Sequence, residues 1–202
     1  AEKTSLLLTK ANALNNIGYV YKQQGNTSKA LEWYEKSLKI REQMGDKKGI
    51  ATSFNNLGLI YNNQGDIIKA LEYYKSALKI QKEINDIQGI AISSNNIGFI
   101  FFHQGDVPRA LEWYYKSLKI REEIGDKKDI AISYNNIGNV YNKQGDFPKA
   151  LEHYTKSLKI SESTGDKKTY ALSLSTLGDL YKNQGLSFFI TKSKEEYFSR
   201  SL

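Results

Sequence analysis

The sequence predicts an all-α protein, a solenoid of tandem antiparallel helix-turn-helix units, and three observations carry that reading. A block of 40 residues recurs five times, marked by Gly18, Gly58, Gly98, Gly138 and Gly178. Five such blocks nearly exhaust the 202 residues, so no length is left for a separate globular domain. Within a block, apolar residues fall at helical spacing on two segments divided by a turn that begins with Gly. A fixed period in this range describes units that bury their apolar faces only by stacking on their neighbours. The units run approximately over 6–45, 46–85, 86–125, 126–165 and 166–202, as a single array over 1–202.

In the first helix of the unit, Ile50, Phe54, Leu57 and Tyr61 make the apolar stripe, and Gly65 follows where a left-handed residue closes a helix. Asn26, Asp66, Asp106 and Asp146 come next, with side chains that accept hydrogen bonds from the free amides of a second helix. Pro108 and Pro148 stand in the first turn of that helix, where no intrahelical donor is lost. The second helix carries Ala70, Leu71, Tyr74, Ala77, Leu78 and their equivalents on one stripe, and ends at Gly45, Asn85, Gly125 or Gly165 before another capping Asp. Gly58 in the first helix and Ala70 in the second are small, so the two backbones approach closely. Tyr21, Tyr61, Phe101, Tyr141 and Tyr181, with Tyr34, Tyr74, Tyr114 and Tyr154, fill the space around that contact as core residues.

The chain is 40% apolar and 25% charged, and no apolar run approaches the length of a membrane span. It therefore reads as water-soluble. With no cysteine, disulfides and thiolate chemistry are ruled out. The net charge of +7 is spread through every repeat rather than massed in a block, which is the pattern of a solvated surface. The start at Ala1 without Met and the end within a repeat suggest an excised fragment. The cytoplasm is the expected compartment, with the periplasm and the extracellular space left open because a leader can be removed.

Leu14, Ile17, Gly18, Tyr21, Ala30, Tyr34 and Ser37 stand at the spacing of the signature positions of the tetratricopeptide repeat, which the chain resembles over nearly its whole length. The resemblance implies a right-handed superhelix with the first helix of each unit on the concave side. Two departures are visible. The family's proline after the second helix is missing, with Glu42 and Lys82 in that region, and each unit is about six residues longer than the common 34-residue form. The second helix should run further by about a turn and a half. This longer format resembles the repeats of kinesin light chain, of spindle-orientation scaffolds with Leu-Gly-Asn repeats, and of bacterial signalling proteins. In the fifth copy four extra residues fall between Gly185 and Lys194, and Phe188, Phe189 and Ile190 lie among them. An end without a polar cap predicts end-to-end packing or a dimer through this terminus; a cap supplied by residues beyond Leu202 is the alternative.

Projected on that architecture, Asn15, Asn55, Asn95 and Asn135 make one inward row, and Asn16, Asn56, Asn96 and Asn136 make a second. Asn is a mediocre helix former. Each carboxamide offers two donors and an acceptor, which suits the unpaired amide groups of an extended peptide. Long-repeat scaffolds use Asn ladders of this kind; hydrogen bonding between adjacent repeats is the other use open to the second row. The next inward position varies as Tyr19, Leu59, Phe99, Asn139 and Asp179 and is expected to set specificity. Phe99, Phe102 and Ile92 form an apolar patch, with His103 in the neighbouring row. The clamp that holds acidic chaperone tails in this family would need Lys and Asn where Asn15 and Tyr19 stand, Asn at Asn56, and Lys and Arg where Ile92 and Asn96 stand. Of its positions only Asn56 fits, so that subclass is disfavoured.

Catalysis needs a convergent constellation, and the two histidines, His103 and His153, lie on different faces. The paired Glu122 and Glu123 beside Arg121 read as solvated surface. The Gly-Asp-Lys-Lys turns lack the glycine spacing and the strand of a phosphate loop. Lys47, Lys48, Lys127, Lys128, Lys167 and Lys168 recur on one rim, but nucleic acid is a disfavoured partner. The function expected is a noncatalytic scaffold, without cofactor or metal, for a protein or peptide in extended conformation. The alternative is a sensory, regulatory or dimerisation module cut from a larger bacterial signalling protein.

Overall fold

The structure, a computed structural model, describes residues 2–183. These residues form α1 (Glu2–Gln23), α2 (Thr27–Met44), α3 (Lys47–Asn63), α4 (Ile67–Glu83), α5 (Ile87–His103), α6 (Val107–Ile124), α7 (Lys127–Gln144), α8 (Phe147–Thr164) and α9 (Lys167–Asn183). No strand occurs among the described residues. The irregular last repeat, with Phe188, Phe189 and Ile190 and the self-association expected of it, lies outside them. Two compact units are present, one holding α1–α5 up to Asp106 and the other beginning at Val107 with α6.

The turns are compact because two residues close one helix and open the next. At the end of α3, Gly65 adopts φ 80°, and the Asp66 amide reaches back to the Tyr61 carbonyl at 2.9 Å. That is the arrangement in which a left-handed residue satisfies the last carbonyls. The Asp66 side chain then accepts from the Lys69 amide at 3.2 Å and starts α4. The same device recurs at Asp46, whose Oδ1 accepts from the Gly49 amide at 2.9 Å, and at Asp146, which accepts from Lys149 at 3.2 Å. Asn85, at φ 54°, takes the left-handed place elsewhere held by Gly, as Asn tolerates. Lys149 lies over the Tyr141 ring, 5.1 Å from its centroid, and pairs with Asp146 at 2.9 Å; Lys69 bridges Tyr61 and Asp66 in the same way.

In the first unit each helix packs on the next, and α3 also meets α5. Ala30 and Tyr34 of α2 are buried with Leu57 and Ile60 of α3, flanked by Tyr21, Leu31, Leu38 and Tyr73. The glycine within the first helix makes room for a ring. A Cβ added at Gly58 would sit 2.7 Å from Tyr74 Cε1, and one at Gly18 would sit 2.8 Å from Tyr34 Cδ1. Where α2 crosses α1, the buried Ser37 hydroxyl donates to the Ala11 carbonyl at 2.8 Å. Below it the buried Arg41 donates to Asp46 and to Asn12 Oδ1, both at 2.7 Å. Gly49 leaves space for that guanidinium, since a Cβ there would collide with Arg41 Nη1. In the next repeat Gln81 takes the same register and accepts from Ser93 Oγ at 2.7 Å.

The second unit repeats these rules with other residues. Ala150, Tyr154 and Leu180 are buried together, bordered by Tyr141, Phe147, Leu151 and Leu177. A Cβ on Gly138 would lie 2.6 Å from the Tyr154 ring, and Ser157 donates to the Ala131 carbonyl at 2.7 Å. Arg121, buried in α6, donates to Ser133 Oγ at 2.7 Å and pairs with Asp129 at 3.4 Å. Burial lowers its pKa, and the Asp129 and Asp126 carboxylates oppose that shift.

Two stability predictions follow from these contacts. Gly58→Ala should destabilise by up to about 2 kcal/mol in urea unfolding. The buried Tyr74 ring must move, at a cost of about 1–3 kcal/mol, against a helix-propensity gain of about 1 kcal/mol; a stabilised variant would refute the packing assignment. Arg41→Ala should cost about 2–3 kcal/mol, because Asp46 and Asn12 lose a buried partner while Asp46 retains some access to water.

Candidate functional site

Within the first unit, α1, α3 and α5 present a face dominated by amides and apolar groups. Asn15 is half-buried on α1, and its Oδ1 accepts from Asn56 Nδ2 on α3 at 2.8 Å. Ser93 Oγ on α5 lies 3.0 Å from Asn55 Oδ1 on α3 and shares its one proton between that oxygen and Gln81 Oε1. The first row thus supplies acceptors to the following repeat, and at Asn56 the second row supplies the donor. Asn16 is exposed, whereas Asn56, Asn95 and Asn96 are half-buried. Of these, Asn95 has a polar or electrostatic partner within the protein.

The variable position is open on this face. Tyr19 is exposed with Lys22 Nζ 5.2 Å from its ring centroid, Leu59 is half-buried, and Phe99 is 39% exposed. Ile92, one helical turn before Asn95 and Asn96, is 38% exposed. The His103 ring lies 4.2 Å from that of Phe99 and 5.2 Å from that of the half-buried Phe102, so α5 gathers three rings at one end of the patch.

In the second unit the corresponding residues are more deeply engaged. Asn135 is 1% exposed, and its Oδ1 accepts from Thr176 Oγ1 of α9 at 3.2 Å. Thr176 stands where the second row has Asn in earlier repeats. Asn136 is half-buried and has a partner within the protein. Asn139 accepts from the Tyr154 hydroxyl at 2.7 Å, so this variable position serves the core of its own repeat. Burial pushes the Tyr154 hydroxyl up to about 12.

Three features were not anticipated from the sequence. Ile17 and Val20 of α1 are 38% and 52% exposed, although Leu57 and Ile60 at the same register of α3 are covered by α2. With Asn16, Tyr21 and Gln24 they line an open pocket of about 340 Å³. The buried Arg41 and Arg121 share a register with Gln81 and Ser161, a recurrence of polar residues on an otherwise apolar stripe that was visible in the aligned repeats. Finally, His153 on α8 is buried in a cage of tyrosines. Its ring stacks on Tyr141 at 5.3 Å and 10°, lies 5.8 Å from Tyr134, and meets Tyr115 edge-on at 6.2 Å. Its Nε2 lies 3.3 Å from the Tyr115 hydroxyl, and burial holds its pKa below the ordinary imidazole value. The sequence marks the place only by a histidine where Tyr73 and the tryptophans Trp33 and Trp113 stand.

Among the described residues no group of three His, Cys, Asp or Glu side chains is arranged to hold a metal, and no helix is long and apolar enough to cross a membrane.

The fold is similar to that of several solved structures. BtubC from P. vanneervenii superposes with a TM-score of 0.74 at 21% identity, over 95% of this chain and 85% of that one. A putative kinesin light chain from Podosopora anserina with nearly identical TPR-like repeats gives 0.72 at 16%, over 95% of each. A signal transduction ATPase with a tetratricopeptide repeat sensor, from Pyrococcus horikoshii, gives 0.80 at 21%, over 96% of this chain and 30% of that one. None of the curated proteins compared with the sequence matches it. The tetratricopeptide repeat profile matches residues 9–83, 89–163 and 129–186. Repeats of this type are in general non-catalytic scaffolds for protein–protein interaction. With its helical hairpins, its signature glycines and alanines and a profile match along most of its length, the chain belongs to the tetratricopeptide repeat family.

Proposed function

We propose that this protein is a noncatalytic scaffold that holds an extended peptide along the α1, α3 and α5 face of its first unit. One observation carries the reading: successive first helices are tied edge to edge by carboxamide and hydroxyl bonds, Asn56 to Asn15 and Ser93 to Asn55, and expose apolar side chains beside that seam. The seam orients the amides, so Asn16 and Asn96 present donors and an acceptor to a backbone that lacks its own partners. Tyr19, Leu59 and Phe99 stand beside them, one per repeat, and select side chains. Phe99 with Ile92, Phe102 and His103 is the anchor site.

The absence of charge on most of this face favours an uncharged or mildly acidic segment, with Lys22 as the cation at its edge. Burying one peptide Leu or Phe in the anchor contributes about 1.5–3 kcal/mol, and each net hydrogen bond about 0.5–1.5 kcal/mol. After ordering costs the affinity is about micromolar. Catalysis plays no part in this reading, which is supported by a chain without cysteine and a second histidine enclosed by tyrosines.

The test is selection from a random peptide library followed by calorimetry. Phe99→Ala should weaken the selected peptide about tenfold and Asn96→Ala about threefold to tenfold, with the melting temperature almost unchanged in both. Asn135→Ala should instead lower stability by about 1–2 kcal/mol, since it removes a buried hydrogen bond. If Phe99→Ala unfolds the chain while affinity per folded molecule stays the same, Phe99 is a core residue and the anchor is refuted.

A further inference from the structure

We propose that His153 is an acid-sensitive latch of the second unit: a proton taken from solvent by its imidazole loosens the packing of α8 against α6 and α7.

The geometry has an internal control in the first unit. On α4, Tyr73 stacks on Tyr61 at 5.4 Å and 9°; on α8, His153 stacks on Tyr141 at 5.3 Å and 10°. The two hairpins therefore share one aromatic joint, and only the second contains a group whose charge changes near neutral pH. His153 is 7% exposed, its Nδ1 has no hydrogen-bond partner, and its Nε2 has only the Tyr115 hydroxyl at 3.3 Å. Protonation puts N–H on both nitrogens, so a buried donor without an acceptor appears together with a desolvated charge.

The groups facing the ring do little to offset this. From α6 come Tyr115 and, through Tyr134, Glu122, which accepts the Tyr134 hydroxyl at 2.9 Å. From α7 come Tyr134 and Tyr141. Tyrosine faces attract cations, yet both rings already carry one: Lys156 Nζ is 5.5 Å from the Tyr134 centroid and Lys149 Nζ is 5.1 Å from that of Tyr141. On α8 itself Glu152 favours the imidazolium but is paired with Lys156 at 2.6 Å, and Lys156 opposes it. On α9 the carboxylate of Asp179 acts on Tyr154.

Burial is the largest influence on His153 and holds its pKa below the ordinary value of 6.5. A base whose folded pKa is depressed binds its proton more readily when unfolded. The stability it allows is therefore complete above the ordinary histidine value. It declines as pH falls below 6.5 and levels off below the folded value. The carboxylates of Glu152, Asp146 and Asp166 are held below 4.5 and 3.8, so their effects begin at more acidic pH.

The chain has two histidines, which makes the test direct. In the whole protein, imidazole resonances followed by NMR should give His153 a midpoint below 6.5. Between pH 7 and pH 5.5, amide exchange in α7 and α8, corrected for its intrinsic pH dependence, should accelerate at least about threefold more than in α3 and α4. His153→Tyr, the residue of the matching joint in the first unit, should abolish that difference, and His103→Gln should leave it intact. A His153 midpoint at or above the ordinary value, or a differential that persists in His153→Tyr, overturns the proposal. Should His153→Tyr fail to fold, the titration and exchange of the unsubstituted chain decide the matter.

Discussion

A glycine in one helix facing a tyrosine ring in the next is the contact on which the hairpins rest. Gly18 with Tyr34, Gly58 with Tyr74 and Gly138 with Tyr154 leave no room for even a methyl group. Glycine within a helix costs about 1 kcal/mol against alanine, but burying a tyrosine ring at about 25 cal/mol per Å² returns more than that. The ring fixes the rotation of both helices about their axes. Once it is seated, Leu57 and Ile60 must face α2, and the carboxamides on the opposite flank of α3 must face outward or toward neighbouring first helices.

The buried polar residues add register to this apolar packing. Ser37 and Ser157 each close a bond to a carbonyl on the helix they cross, and Arg41, Gln81 and Arg121 each find partners on adjoining segments. Repeats with the same apolar stripe could slide past one another at little cost in area. A slip would leave these groups buried and unpaired, which costs more than a lost apolar contact. The partners differ from repeat to repeat, so each interface is individually matched although the fold is periodic.

The aromatic joint on the second helix and the amide seam on the first do separate work. Tyr73 and His153 sit on the side that joins a hairpin to the preceding second helix, where, on the proposal above, the charge of His153 bears on stability. Asn15, Asn55 and Asn56 sit half-buried on the side that bears the proposed groove, with the buried Ser93 beneath them, and their orientation is what the proposed recognition would use. Substitutions at the two positions should therefore be separable, since His153 packs against Tyr115, Tyr134 and Tyr141, none of which belongs to the amide seam.

The sequence by itself determined the repeat, the helices and their ends. Those features depend on local spacing: apolar periodicity, a left-handed residue such as Gly65, and a capping Asp66 that acts three residues along the chain. It also indicated which helix faces carry amides. What only the tertiary structure decided is which amides are occupied. Asn135 and Asn15 hold the same register and each accepts from the residue 41 places further on, yet Asn135 is sealed against Thr176 while Asn15 meets Asn56 on a half-open face. Likewise Asn139 is bound by Tyr154 while Phe99, at the same register, is open to solvent. Whether a side chain is free depends on partners about 15 or 40 residues away, and periodicity, which is blind to small differences between neighbouring repeats, cannot rank them.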